Sequence, residues 1–186
     1  MRSLCRATVS GFVALLACAS AGFAQHRSAV ELGADAGLFH YSVNTEVGNV
    51  TVNTTFTQFE LPMRSIRAAF PIDETYAIEP AAGWVYTSGN GTSASDFNAD
   101  LGLIMNLTRD PRAWNWFLRP FLGFQHSSTG SRTLDRATLG AGIGLRVPAT
   151  DRISMRYEAR YRYLAKNEGT SANVVGLLAG ISVYTR

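Results

Sequence analysis

The sequence predicts an all-β fold: an eight-stranded antiparallel up-and-down β-barrel whose strands cross a membrane. Three observations lead to this prediction. Apolar and polar residues alternate with period two in eight segments, the connections between these segments alternate between short and long, and the polar rows combine charged residues with many glycines. Short turns at one end and long loops at the other are typical of outer-membrane barrels.

The first 24 residues are predicted to be a cleaved signal peptide, and residues 25–186 to be a single outer-membrane barrel domain. A short basic start precedes the apolar run Val9–Ala24, and small residues, Gly22 and Ala24, occupy positions −3 and −1 of the cleavage site. The run is shorter than the roughly 20 residues that span a bilayer as a helix. Lipoprotein processing at Cys18 is an alternative to cleavage after Ala24.

The charge balance excludes several classes of protein. The chain has 17 Lys and Arg against 14 Asp and Glu, a formal net charge of +3. Two of the basic residues and both cysteines lie in the predicted signal peptide, so the mature chain has 15 basic and 14 acidic residues, a net charge of +1. This composition argues against a nucleic-acid-binding protein, a disulfide scaffold, a zinc ribbon and a cysteine enzyme. No cofactor or metal site is predicted, because His26 and His40 have no companions at metal-ligand spacing.

Each predicted strand carries one apolar row and one polar row. In Ala137–Val147, for example, apolar residues occupy every second position and three glycines lie between them. Arg64–Pro71 is the weakest of the eight segments. The predicted strands are Ala29–Tyr41, Arg64–Pro71, Tyr76–Thr87, Asp96–Leu107, Trp116–His126, Ala137–Val147, Ile153–Tyr163 and Val175–Val183.

The connections fall into two groups. Three are tight turns, which contain Asp or Pro, and they recur at a regular spacing along the chain. Longer polar stretches separate them and are predicted to be loops at the opposite end of the barrel. The tight turns are residues 71–75, 108–113 and 148–151, and the predicted long loops are Ser42–Leu61, Ser88–Ser95, Ser127–Leu134 and Ala165–Ser171.

The placement of charge distinguishes a membrane barrel from a water-soluble one. A soluble barrel carries its charged row outside and its apolar row inside. Here the apolar rows end in aromatic residues, such as Tyr76 and Trp84, which matches aromatic girdles at two membrane interfaces. Glycines in the charged rows leave room for large side chains in a narrow lumen. The sequence therefore favours the membrane barrel, with a soluble periplasmic lipocalin-like binding barrel as an alternative.

The polar rows predict a charged lumen. Five carboxylates and six arginines share a space that has little water, where an unpaired charge costs several kcal/mol. We expect these residues to form a cross-linked network that fills the lumen, because eight strands enclose only enough room for side chains. The predicted network consists of Glu31, Asp35, Arg67, Glu79, Asp100, Arg119, Arg146, Arg156, Glu158, Arg160 and Arg162.

The stretch Arg67–Pro80 (RAAFPIDETYAIEP) resembles the second strand, first turn and third strand of the small eight-stranded outer-membrane β-barrel family. This family contains the OmpA barrel domain, OmpX-like proteins and opacity proteins. Gly180, Val183 and Thr185 also match the terminal signal that the barrel-assembly machinery reads, although the usual last phenylalanine is missing. The resemblance implies a bacterial outer-membrane location, contacts with outer-membrane lipids and lipopolysaccharide, recognition of the C-terminal strand by that machinery, and a role in adhesion, surface protection or envelope integrity.

One motif favours an enzymatic alternative. His126-Ser127-Ser128 is similar to the His-x-Ser motif that lipid A deacylases carry on the lipid-facing side of a barrel of this size, where His126 would activate Ser128 as a nucleophile. In that family the motif lies on the penultimate strand, where this chain has Tyr163 and Ala165 instead. The sequence therefore predicts a protein that is not an enzyme, with a lipid A deacylase-like esterase as the alternative.

The first long connection is the strongest indication of a binding role. Asn49–Leu61 (NVTVNTTFTQFEL) is rich in Val, Thr and Phe, which favour strands. We expect the first hairpin to extend beyond the membrane and its edge to pair with a surface protein ligand through residues 42–61.

Overall fold

The computed structural model describes residues 29–60, 65–89, 92–108, 114–130 and 132–185. The predicted signal peptide and both of its processing sites lie outside the described residues. Within the described ranges, no helix is long and apolar enough to cross a membrane. The strands are β1 (Glu31–Val47), β2 (Val50–Glu60), β3 (Ile66–Pro71), β4 (Tyr76–Gly89), β5 (Thr92–Asn106), β6 (Asn115–Thr129), β7 (Arg132–Pro148), β8 (Ile153–Asn167) and β9 (Thr170–Tyr184).

Eight of these strands close into a ring. β1 pairs with β3, each strand from β3 to β8 pairs with its successor, and β9 pairs back onto β1, always antiparallel. The closing pair is long, because β1 and β9 match from Glu31 with Tyr184 to Thr45 with Thr170. β2 pairs with β1 along the part of β1 that β3 does not reach. The eight-stranded up-and-down barrel that the alternation predicts is therefore confirmed. β2 is an additional strand, which lies beside β1 where a longer β3 would continue.

The two rows of each strand lie on the two faces of the wall. Leu139 and Leu177 on the outer face are each 63% exposed, whereas Glu79 and Arg119 on the inner face are completely buried. Aromatic residues such as Trp84 lie exposed on the outer face. A barrel wall with an apolar outer face and a charged inner face is stable when lipid, rather than water, surrounds it. The barrel is therefore a transmembrane barrel, and the lipocalin-like alternative is wrong.

Side chains stabilise two of the short turns. In the turn before β4, Asp73 Oδ1 accepts hydrogen bonds of 2.7 Å from the backbone N–H groups two and three residues later. In the turn before β8, Thr150 Oγ1 accepts equivalent bonds of 3.2 and 3.1 Å. Both are tight turns, as the sequence predicts, because Asp and Thr side chains replace the missing backbone partners. Residues 109–113 of the third predicted turn lie outside the described residues.

The opposite end of the barrel differs from the prediction. The four polar stretches predicted to be long loops are mostly strand where they are described, and they meet in tight turns. Gly48, Gly130 and Gly169 adopt positive φ angles of 60°, 58° and 75° in three of these turns, a conformation that favours glycine. Thr, Ser and Asn occupy both faces of a hairpin in water, so period-two alternation disappears there. The stretches that were predicted to be loops, and whose described residues are mostly strand, are Ser42–Leu61, Ser88–Ser95, Ser127–Leu134 and Ala165–Ser171.

The strands are longer than a bilayer requires. β1 and β7 contain 17 residues each, and β5, β6, β8 and β9 contain 15. About 9–11 residues suffice for a tilted strand to cross the hydrocarbon core. The remaining residues carry the hairpins past the aromatic girdle that contains Trp84 and Tyr86 and into the aqueous phase.

Among the described residues, the wall has a gap in its strand pairing beside β2. β3 and β4 pair from Pro71 with Ala77 to Ile66 with Ala82, whereas β4 continues to Gly89 with only β5 beside it. In the described ranges no pairing joins β2 to β4. From Val50 to Phe59, β2 therefore has no second strand beside it in the described ranges, and four large apolar side chains of this segment are exposed. These side chains are Val50, Val52, Phe56 and Phe59.

The outward apolar row should tolerate charge poorly at mid-membrane depth. Leu177 is the register partner of Ala159, midway between Tyr157 and Tyr161 on β8, and its side chain faces outward. Because a charge there would face lipid, Leu177→Arg is expected to lower the free energy of unfolding by about 2–4 kcal/mol. Urea titration in lipid vesicles, followed by heat-modifiable gel mobility, measures the change. Thr51→Arg on the protruding hairpin is the matched control and should change the midpoint little. Equal effects of the two substitutions would contradict the assignment of the lipid-facing surface.

Candidate functional site

The lumen gathers all eleven residues of the polar rows named above. Ten of them are buried, and Arg162 is the partly exposed member, with 17% of its side chain accessible. Ion pairs join the eleven into one continuous network. The residues come from β1 and β3 to β8, so the network connects the walls of the barrel across its axis.

Glu79 lies at the centre of this network. Its carboxylate is 2.6 Å from Arg119 Nε, 2.5 Å from Arg156 Nη1 and 3.7 Å from Arg67 Nη1. Arg156 also donates to Glu158, at 2.6 Å, and Glu158 in turn accepts from Arg160 Nε at 2.7 Å. One fully buried carboxylate therefore lies close to three guanidinium groups that come from three other strands.

Glu31 organises the end of the lumen near the short turns. Arg67 Nη1 donates to Glu31 at 2.6 Å and Arg67 Nε donates to Asp35 at 2.9 Å. Ser182 Oγ donates to Glu31 at 2.6 Å, and Arg146 Nη2 lies 2.9 Å from the second Glu31 oxygen. Ser182 was not among the predicted network residues, although its position in the inward row of β9 is a signal that could have identified it.

Asp100 occupies the opposite end of the network. Arg119 donates to one of its oxygens, and Arg162 Nη2 donates to the other at 3.2 Å. Arg162 has no other ion pair in the described ranges. The network is therefore tightest at Glu79 and weakest at Arg162, where the lumen opens outward.

Two aromatic rings lie among the arginines. The guanidinium carbons of Arg146 and Arg156 lie 4.8 and 4.4 Å from the centre of the Phe117 ring. Arg119, Arg160 and Arg162 surround Phe121 at 4.9, 5.3 and 5.5 Å. Cation–π contacts of this kind stabilise desolvated arginines by up to about 2 kcal/mol. Sequence reasoning placed both rings in the inward rows but assigned them no role.

Glycines create the space that the long side chains occupy. A Cβ atom on Gly33 would lie 2.5 Å from Arg67 Cζ, and one on Gly102 would lie 2.6 Å from Arg119 Nε. Both distances are shorter than van der Waals contact, so these positions exclude a larger residue while the arginines keep their places. The glycine-rich polar rows therefore have the spatial role that the sequence suggested.

Above the charged network lies a region that we call the vestibule, where a buried apolar cluster and polar side chains lie side by side. Its wall consists of a buried cluster from β1, β8 and β9, with Tyr41 and Val43 packed against it. Facing that wall, Gln125, Asp96 and Arg136 line a cavity of about 190 Å³. Period-two reasoning missed the vestibule because its apolar residues lie in the inward row. The cluster is Phe39, Leu164, Ala172, Val174 and Leu178.

The outer face carries a second polar group. His126 on β6 and Asp135 on β7 are register partners, and His126 Nδ1 lies 2.5 Å from Asp135 Oδ1. Ser128 lies two residues further along β6, on the same face. In the described part of the chain Ser128 makes no side-chain hydrogen bond to His126. The other described histidine, His40, shares a 3.0 Å hydrogen bond with Thr57 on the first hairpin.

Side-chain contacts stabilise the first hairpin in addition to the backbone hydrogen bonds between β1 and β2. Tyr41 stacks on its register partner Phe56, with ring centres 4.8 Å apart and planes 6° apart. Asn53 donates to Asn44 at 2.7 Å and to Ser42 at 3.1 Å. These contacts keep β2 attached to β1 although β2 has no second strand beside it in the described ranges. The extended first hairpin that the strand-favouring composition predicted is therefore present in residues 42–60, as two strands joined by a tight turn.

Neutralising Glu79 is expected to destabilise the barrel strongly. Glu79→Gln leaves three arginines around an uncharged amide, so the free energy of unfolding should fall by about 3–5 kcal/mol, as when one partner of a buried ion pair is removed. Vesicle unfolding with the gel-mobility assay measures this change. Glu74→Gln in the exposed turn before β4 is the control and should have no effect. The double variant Glu79→Gln/Arg156→Met should recover part of the loss; no recovery would show that the pair is not coupled.

Comparison with known proteins adds information about the fold. No protein-family model matches the chain, and no curated protein matches it. Among solved structures, the chain is similar to Neisserial surface protein A, with 16% identity over 84% of this chain and 97% of the other and a TM-score of 0.56. It is also similar to the outer membrane protein OprG of Pseudomonas aeruginosa, with 9% identity over 87% and 98% of the two chains and a TM-score of 0.57.

A third solved structure agrees with these two. The outer membrane protein AlkL, determined in lipid bilayers, shares 11% identity over 88% of this chain and 93% of its own, with a TM-score of 0.54. At these identities the similarity concerns the fold alone. Strand order, wall polarity and these three comparisons agree, and the chain has the fold of the small β-barrel proteins of the bacterial outer membrane.

Proposed function

We propose that this protein is a non-enzymatic surface-contact barrel of the outer membrane, which binds an extended segment of another protein along the free edge of β2. The observation that carries this proposal is the edge of β2 from Val50 to Phe59, which pairs with no second strand in the described ranges and protrudes with the first hairpin. A strand edge offers N–H and C=O groups in a row, and these groups bind best to another strand. Adhesion and surface protection are the roles that such an edge would serve.

The side chains of β2 support strand addition. Val50, Val52, Phe56 and Phe59 are exposed, and Thr occupies four of the remaining positions. In strand addition the backbone hydrogen bonds supply affinity, and alternate side chains on the two faces supply specificity. Soluble proteins usually protect such edges with Lys, Pro or bulges, and β2 contains neither Lys nor Pro. This edge therefore has the composition of a strand that is kept available for a partner.

The filled lumen supports a role outside the pore. A chain of ion pairs crosses the barrel, and Phe117 and Phe121 fill the space between the arginines. We propose that this filling closes the barrel to solutes and holds the walls rigid, so that the hairpins stand on a stiff base. The charged residues thus have a structural role, and contact with the outside belongs to the hairpins.

The remaining partners follow from the location. The outward apolar row contacts outer-membrane lipids, and the hairpins extend at the level of the lipopolysaccharide headgroups. We propose that the assembly machinery reads β9, whose outward row includes Ile181 and Val183, both exposed. β9 is also the strand that closes the ring with β1.

Edge substitutions in β2 test the surface-contact proposal. Neighbouring strand residues point their N–H groups in opposite directions, so one of Thr54→Pro and Thr55→Pro removes a donor from the free edge, and the other breaks the ladder with β1. Deletion of residues 49–58 removes most of the edge. We expect each change to reduce adherence of an expressing Gram-negative host to epithelial monolayers at least fivefold.

Thr133→Pro on the β6–β7 hairpin is the matched control and should leave adherence unchanged. Heat-modifiable mobility verifies that each variant still forms the barrel. Full adherence after deletion of residues 49–58 would contradict the proposal.

One observation favours a second candidate function, ester hydrolysis at the lipid-facing surface. Asp135 contacts His126 Nδ1, which leaves Nε2 directed elsewhere, and Ser128 shares their face. In a Ser-His-Asp arrangement the carboxylate orients the imidazole, which then removes the proton from the serine hydroxyl as it attacks an ester carbonyl. His126 is level with Phe97 and Trp84 of the aromatic girdle, close to the ester groups of the outer leaflet.

Mass spectrometry of lipid A separates the two candidates. The surface-contact proposal expects the same lipid A masses from a host that expresses the native chain, the Ser128→Ala variant or no barrel. Loss of one acyl chain in the native strain alone, restored by Ser128→Ala and by His126→Ala, would establish the esterase. Ser127→Ala is the neighbouring control and should not alter such an activity.

A further inference from the structure

The part of β2 next to the turn at Gly48 carries no charge. From Val50 to Phe56 the residues are Val, Thr, Asn and Phe, and all of them are exposed. Among the described residues, this segment pairs with β1 and with no other strand. Like charges directly opposite each other destabilise a pair of strands. Two copies of this segment can therefore approach each other without charge repulsion between their own side chains.

The two faces of the segment differ in polarity. Side chains alternate between the faces of a strand, so Val50, Val52 and Phe56 share one face, which is mainly apolar. Asn53 lies on the other face, where its Nδ2 donates hydrogen bonds of 2.7 and 3.1 Å to two side chains of β1. A strand that is added at the free edge therefore fits best when it also presents one apolar row and one polar row.

A second copy of the segment meets this requirement. When two copies pair antiparallel with Asn53 opposite Asn53 of the second copy, the apolar faces of both lie on the same side of the sheet. Val50 then lies opposite Phe56, and Thr51 lies opposite Thr55. A β-branched residue opposite an aromatic one, and threonine opposite threonine, are combinations that stabilise antiparallel strands. The segment is therefore complementary to itself.

The symmetry of such a pair determines where the second copy lies. Two identical strands that pair antiparallel with matching faces are related by a two-fold axis perpendicular to their sheet. Because β2 continues the barrel wall, an axis perpendicular to that wall runs roughly parallel to the membrane. Rotation about this axis turns the second barrel upside down. The second copy therefore belongs to an opposing membrane.

We propose that β2 pairs with β2 of a second copy on an opposing membrane, so that the protein joins the surfaces of two cells that carry it. This inference rests on the surface-contact role proposed for the β2 edge and names the binding partner. A single short strand pair is weak, because an isolated two-stranded pairing is marginal in water. Many copies on facing surfaces act together, and this multivalency raises the overall affinity.

Vesicle tethering tests this proposal with the protein alone. The barrel is inserted into phosphatidylcholine vesicles that carry one of two fluorescent dyes, and tethering is measured as co-localisation of the dyes. Vesicles with the native chain should tether to each other at least fivefold more than to vesicles without protein. Because the paired edges are uncharged, a higher salt concentration should leave this tethering unchanged.

Substitutions of Asn53 test the register. Asn53→Lys vesicles should not tether to one another, and neither should Asn53→Glu vesicles, because each pairing places like charges opposite each other. Mixing the two variants should restore tethering, which also shows that both keep an intact hairpin. Thr133→Lys and Thr133→Glu, at an exposed position of the β6–β7 hairpin, are the matched controls and should tether as the native chain does.

Absence of native tethering, tethering that ignores the charge introduced at position 53, or failure of the mixed variants to tether would each overturn the proposal. The surface-contact role stands after any of these results if deletion of residues 49–58 still reduces adherence to epithelial monolayers. Full adherence after that deletion would instead contradict binding of host proteins by β2, whatever the vesicles show.

Discussion

The requirement that charges inside an eight-stranded barrel find partners without water determines most of this structure. Glu79 meets three arginines at the barrel axis, and the network spreads from it to Glu31 on one side and Asp100 on the other. An isolated charge at such a depth would be too costly to keep, so acidic and basic residues occur together. The glycines that open space for the arginines and the two phenylalanine rings between them are consequences of the same requirement.

The network divides the molecule into a closed half and an open half. Toward the short turns, the lumen is filled by ion pairs and by the small apolar cluster around Ile104 and Phe117. Toward the hairpins, the network ends at Arg162 and the vestibule begins. In this half, the described residues show no pairing between β2 and β4. The proposed contact with another protein, along the edge of β2, lies in the open half. Rigidity and availability for binding are thus separated along the barrel axis.

Sequence alternation was most informative where the wall touches lipid, because there the two faces have opposite environments. It located the ring strands and assigned Trp84 and Leu177 to the outside. It failed for the hairpins, since water on both faces removes the contrast between the rows. Gly48, Gly130 and Gly169 were the available signals of tight turns at these positions. It also missed the vestibule, because an apolar residue such as Leu178 in the inward row looks like an irregularity of the pattern.

The sequence by itself determined the membrane barrel and the identity of its inward charges, because strand parity is a local property that each segment carries alone. Tertiary structure alone decided which charges meet, since Glu79 and Arg156 are far apart in the chain and come together only when the ring closes. Closure also decided that Phe39 and Leu164 pack in one cluster and that, among the described residues, β2 pairs with β1 and with no other strand. Pairing across a ring depends on register and shear, which no single segment encodes.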